Sequence, residues 1–113
     1  MHEISIAMCI LGIIRGEMKR RSLKRLKSVR VRVGELTAVD PEALRFSFDA
    51  CTKGTGLRGA EILIEEVPLM GRCRGCGREF RVEGFRNVCA FCGGNSTERV
   101  SGDELEVVSM EAS

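Results

Sequence analysis

The chain has 113 residues, a net charge of +2, 43% apolar residues and five phenylalanines as its only aromatics. That length allows one compact unit, or a small domain with a smaller satellite, around a modest core. The scarcity of aromatics argues against a stacking platform for single-stranded nucleic acid.

The near-neutral total hides an asymmetry. Residues 1–32 carry a net +7 and residues 33–113 a net −5. A basic first third can serve nucleic acid or an acidic partner, or simply form a solvated helix end. Residues 4–14 (ISIAMCILGII) are almost continuously apolar. A secretory signal wants positive charge before such a run and small residues after it. Here His2 and Glu3 precede it, and Arg15, Lys19, Arg20 and Arg21 follow. Eleven residues are too few to span a bilayer. The expectation is a buried helix in a cytoplasmic protein with no membrane contact.

Ile4, Ala7, Met8, Leu11, Ile14 and Met18 follow helical spacing and predict a helix over residues 3–20. Ile6, Ile10 and Ile13 widen its apolar stripe, so it could pack within the monomer or against a partner, a homodimer included. Residues 22–27 read as a basic connection. Val29, Val31 and Val33 alternate with Arg30 and Arg32 and predict a strand with one buried face. Asp40-Pro41 opens a second helix, with Asp as N-cap and Pro at the first position. Leu44, Phe48 and Cys51 line its inner side, Phe46 lies off that stripe, and Gly54 and Gly56 end it. Ala60, Ile62 and Ile64 alternate with acids in a second strand, which Pro68 and Gly71 break. A last strand is expected near residues 104–110. The reading is an α/β fold: two helices packed on a small three-stranded sheet, with a zinc-ribbon-like module of four cysteines inserted. Residues 1–68 plus 99–113 would form the first domain and 69–98 the second.

Cys73, Cys76, Cys89 and Cys92 form two C-x2-C units, each followed by glycine. This spacing lets two thiolates of one tight turn face the same ion, and glycine relaxes the returning backbone. Two such turns complete a closed tetrahedral sulfur site, as in structural zinc. Iron in a rubredoxin-like site and disulfides are the competing readings. Arg72, Arg74 and Arg78 are close enough in sequence to offset part of the thiolate charge. A closed zinc shell leaves no position for substrate, and no nucleophile–base pair is evident, so an enzyme is not expected. Cys9 and Cys51 read as buried core thiols.

The only histidine is His2. A bulky second residue should preserve Met1. The α-amine of Met1, the His2 amide nitrogen and the His2 imidazole Nδ1 can then close fused chelate rings, a nearly planar nitrogen set suited to Ni(II) or Cu(II). Glu3 could be the fourth ligand. The competing reading is an exposed histidine at a frayed end.

The opening MHE, VRVRVGELTAVDPEALRFSFD at 29–49, GAEILIEEVP at 59–68 and the paired C-x2-C units together resemble the HypA/HybF family over nearly the whole chain. That resemblance implies a nickel metallochaperone for NiFe-hydrogenase maturation. It implies nickel at Met1, His2 and Glu3, and structural zinc at Cys73, Cys76, Cys89 and Cys92. It implies delivery to the hydrogenase large-subunit precursor with the GTPase HypB and, in some relatives, service to urease. Asp40 matches a position near the nickel site in some members, though its N-cap role explains it here. This chain has glycine, not histidine, after each knuckle, which puts histidine-mediated coupling of the two metals in doubt. The alternative is a zinc-ribbon adaptor binding nucleic acid through the basic segment.

Overall fold

The computed structural model describes residues 2–83 and 88–113. Helix α1 (Glu3–Arg20) opens on His2 and carries Glu3 in its first turn and Lys19 and Arg20 in its last. Those charges suit the helix dipole at both ends. Ile6, Ala7, Ile10, Leu11, Ile14 and Met18 form its buried stripe. The stripe is narrower than the sequence suggests, because α1 is covered on one side only. Ile4, Met8 and Ile13 are exposed. Cys9 is exposed and Cys51 only half-buried, so the expected pair of core thiols is corrected.

Strand β1 (Leu26–Gly34) follows. A single 3-10 turn at Glu35–Thr37 leads into α2 (Pro41–Thr52). Asp40 caps α2 as expected, its Oδ1 accepting the Glu42 N–H at 3.0 Å. Leu44 and Phe48 are buried with Thr52 as the third inner residue, and the Thr52 hydroxyl donates to the Asp49 carbonyl at 3.0 Å. Gly54 takes the left-handed conformation just beyond the helix (φ 74°), where a side chain would be strained.

Strand β2 (Glu61–Val67) pairs parallel to β1, so β1–α2–β2 is a crossover unit. Strand β6 (Leu105–Ala112) pairs antiparallel to the other edge of β1, giving the order β2-β1-β6. The chain thus returns to the first sheet after the cysteine segment. Both helices cover the face formed by Val29, Val31, Val33 and Ile62. The opposite face carries charge: Arg32 reaches Glu65 and Glu106 on the flanking strands, each at 3.3 Å.

A second sheet was not foreseen. Strands β3 (Met70–Cys73), β4 (Glu79–Arg81) and β5 (Thr97–Ser101) pair antiparallel in the order β4-β3-β5. Gly71, read from the sequence as a breaker, lies inside β3. A Cβ there would press on Phe80 and Val82 at 3.3 and 3.2 Å, so glycine lets the strand lie against the module's small core. The second sheet takes residues on both sides of position 98, with β5 running to Ser101.

The molecule is elongated, 54 × 25 × 16 Å. The chain passes between the two sheets twice, at residues 68–69 and 102–104, and these crossings pack tightly. A Cβ on Gly34 would collide with the Gly102 carbonyl, and one on Gly102 (φ 117°) would stand 2.7 Å from the Leu69 Cα. The Ser101 hydroxyl donates to the Pro68 carbonyl at 2.8 Å. Arg81 of the second sheet reaches Glu35 beside the first at 2.7 Å.

Candidate metal centre

The two cysteine turns repeat one geometry. In the first, the Gly77 N–H donates to the Cys73 carbonyl (2.8 Å), and the Cys73 N–H donates to the Arg78 carbonyl (3.0 Å). In the second, Gly93 donates to Cys89 (3.1 Å) and Cys89 to Gly94 (2.8 Å). Gly77 and Gly93 both have positive φ, 77° and 74°. The tight return needs that left-handed residue, which explains a glycine after each C-x2-C.

The folded-back backbone aims its N–H groups at sulfur. Cys76 N–H points at the Cys73 Sγ, Phe91 and Cys92 N–H at the Cys89 Sγ, and Gly94 N–H at the Cys92 Sγ, each at 3.4 Å. All four sulfurs lie within 4.8 Å of one another. The closest pairs are Cys73–Cys92 at 3.5 Å and Cys76–Cys89 at 3.7 Å. Zinc bound tetrahedrally by four thiolates separates its sulfurs by roughly 3.8 Å. The donor set and its spacing therefore fit zinc. Among the described residues, no other group of three or more His, Cys, Asp or Glu side chains converges in this way.

The site electrostatics show what a cation must do. The Cys92 N–H, helped by that of Phe91, draws the Cys89 thiol down to about 6 from an ordinary 9.0. The Cys76 N–H likewise lowers Cys73. At Cys92 the Gly94 N–H also favours the thiolate, but the sulfurs of Cys73 and Cys89 outweigh it and raise the thiol to about 11. The backbone can thus hold some negative charge on sulfur, and the last thiolates require a cation. The flanking arginines contribute less than their sequence positions suggest. Arg72 is taken up by Glu79 (2.6 Å) and Glu98 (3.4 Å), and the Arg78 guanidinium lies 5.1 Å from the centre of the Phe91 ring.

At the amino end, Met1 lies outside the described residues. His2 is the extended N-cap of α1, its carbonyl accepting the N–H groups of Ser5 (3.0 Å) and Ile6 (3.2 Å). Its imidazole caps nothing and is exposed. The Glu3 Oε1 accepts the Asp40 backbone N–H at 3.4 Å. The structure therefore sets the first turns of α1 and α2 side by side, with His2 at the N-cap of α1 and Glu3 against Asp40. Periodicity and spacing gave no sign of that meeting, and the family resemblance pointed only to Asp40 as a position near the nickel site in some members.

The architecture is that of an α/β protein with four clustered cysteines able to hold a metal and no helix among the described residues long and apolar enough to cross a membrane. The family model described as "Hydrogenase/urease nickel incorporation, metallochaperone, hypA" matches residues 1–112. Hydrogenase maturation factor HypA of Geobacter metallireducens is 40% identical over 111 residues, covering 98% of both chains. Its counterpart in Geotalea daltonii is 44% identical over 107 residues, covering 95% of this chain and 94% of that one. The solution structure of the nickel metallochaperone HypA from Helicobacter pylori shares the fold with a TM-score of 0.66 at 20% identity, over 99% of this chain and 97% of that one. The chain belongs to the HypA family.

Proposed function

We propose that this chain is a cytoplasmic nickel metallochaperone, not an enzyme, that takes up Ni(II) at its amino end and delivers it to the hydrogenase large-subunit precursor, working with the GTPase HypB. The ligands would be the Met1 α-amine, the His2 amide nitrogen and imidazole, and Glu3. Family membership over 112 residues supports the cargo. The observation that carries the site is the meeting of Glu3 with the Asp40 N–H, which fixes the base of an otherwise exposed His2. The first N–H groups of a helix have no intrahelical partner, so an amide there can lose its proton without breaking a hydrogen bond. The helix dipole opposes a bare cation at this end, and the deprotonated amide with Glu3 offsets it. An exposed terminal site can release its ion to a partner more readily than a buried cage, and protons compete for the same nitrogens. In this reading zinc at Cys73, Cys76, Cys89 and Cys92 is structural, and the cysteine module is a separate domain.

Nickel titration of untagged protein tests the assignment. His2→Ala should abolish the site while zinc content stays unchanged. Unchanged nickel affinity would show that His2 is not a ligand. One residue added before Met1 should also damage binding, because it shifts the chelate rings.

A further inference from the structure

The outer surface of the helical layer has a feature that neither metal site uses. Ile4 and Met8 in the first turns of α1 are 51% and 62% exposed, and Phe46 in the second turn of α2 is 76% exposed. The Glu3–Asp40 contact brings the two helix starts together, so Met8 and Phe46 stand at similar heights. Phe46 lies opposite the Leu44–Phe48 stripe that faces the core. These three side chains are therefore presented outward in the first two turns of the helices that His2 and Asp40 open.

Farther along α1, Arg15 and Lys19 continue the line of Ile4 and Met8, since the offsets of four, eleven and fifteen residues fall on one helix stripe. Both cations are exposed. Glu17 pairs with Arg20 and Arg21, and neither Arg15 nor Lys19 joins an ion pair among the described residues. Gly12 leaves a notch between the apolar and cationic parts, with open space where its Cβ would be. Met8 and Lys19 are eleven positions apart, a rise of about 16 Å. The result is a polarised track, apolar at the end that holds His2 and unneutralised cation at the other.

We infer that this track docks an acidic amphipathic helix of a partner protein, with apolar side chains over Met8 and Phe46 and carboxylates over Arg15 and Lys19. The charge pattern selects this occupant. A second copy of the chain would set cation against cation if the helices ran parallel, and cation against Ile4 and Met8 if antiparallel. An anionic membrane would favour apolar residues along the whole exposed face with cations flanking them, whereas here the two kinds occupy opposite ends of one line. The inference rests on the nickel reading for its purpose: a partner seated here would lie beside His2 and could receive or supply the ion.

The test uses full-length, zinc-loaded protein and a synthetic helical peptide with leucines at one end of a face and glutamates at the other. A second peptide carries lysine for each glutamate. The glutamate peptide should bind with an affinity that falls as salt rises, and the lysine peptide should not. Met8→Asp, and separately Arg15→Glu combined with Lys19→Glu, should each weaken binding by about tenfold or more, while keeping parental zinc content and nickel affinity. Equal binding of both peptides, no binding of the glutamate peptide, or no effect of the variants would overturn the inference. So would phosphatidylserine vesicles binding where the peptide does not, or a parental dimer that Met8→Asp dissociates in sedimentation. Peptide binding by a parent that takes up no nickel would keep the docking track and overturn the nickel reading instead.

Discussion

The two sheets of this molecule are held by different physics. The first, β2-β1-β6, shares with α1 and α2 a cluster of fifteen buried side chains among the described residues, from Ile6 to Ile62. The second, β4-β3-β5, has among the described residues a buried cluster of Cys73, Phe80 and Cys89, with Val82 packed against it. Two of those three are candidate metal ligands. Burial can support the first region, whereas so small a cluster falls well short of the entropy lost in ordering the module. The second region is therefore expected to need an ion on its four sulfurs to fold, and the first is not.

The largest expected effect is at Cys89. Cys89→Ser should lose zinc and strip hydrogen-exchange protection from β3 and β5, since a structural zinc contributes on the order of 10 kcal/mol to a short module. Protection in β1 and β6 should persist. Collapse of both sheets would refute the contrast between the regions. The pH dependence follows from the lowered Cys89 thiol: its thiolate is present above about 6 and is lost as the pH falls through that value. Zinc affinity should therefore steepen by about tenfold per pH unit below roughly pH 6, as one more proton competes with the metal. A competition titration with a chromophoric chelator checks this slope.

The reciprocal test is in the larger core. Phe48 is fully buried, and Phe48→Ala should cost about 3–5 kcal/mol, seen as a lowered midpoint in denaturant for α1 and β1. Zinc should stay bound below that transition. Early zinc release would mean that the crossings near Gly34, Leu69 and Gly102 tie the two regions into one cooperative unit.

The same contrast decides what could be read from the sequence. Where burial organises the chain, periodicity is visible: α1 runs over residues 3–20 as spaced, β1 alternates around its three valines, and Asp40-Pro41 opens α2. Where the two cysteine turns organise it, the ligand spacing is visible but the strands are not. β3, β4 and β5 have three to five residues each, too few to show alternation, and Gly71 inside β3 looks like punctuation. The misreading of Cys9 has another cause. A helix lying on one sheet and one neighbour buries about half its circumference, so apolar residues beyond the inner stripe remain outside. The fit of four sulfurs to one ion was thus legible from spacing. The contact of Glu3 with Asp40 joins residues 37 apart, and local pattern contains no trace of it.

Asp40 gives the smallest effect and the sharpest distinction. Its carboxylate caps α2 through the Glu42 N–H, while its own backbone N–H reaches Glu3. Asp40→Ala removes the cap and should cost about 1 kcal/mol, with zinc unaffected. Asp40→Asn keeps an oxygen acceptor for the Glu42 N–H, so most of that stability should return. The backbone donor to Glu3 survives in both variants. Nickel titration of the pair then separates two roles that a single alanine variant would merge. If Asp40 acts as a cap alone, affinity should follow stability, falling in Asp40→Ala and recovering in Asp40→Asn. If its charge also helps hold the ion against the positive ends of two neighbouring helices, Asp40→Asn should fold like the parent and still bind nickel more weakly.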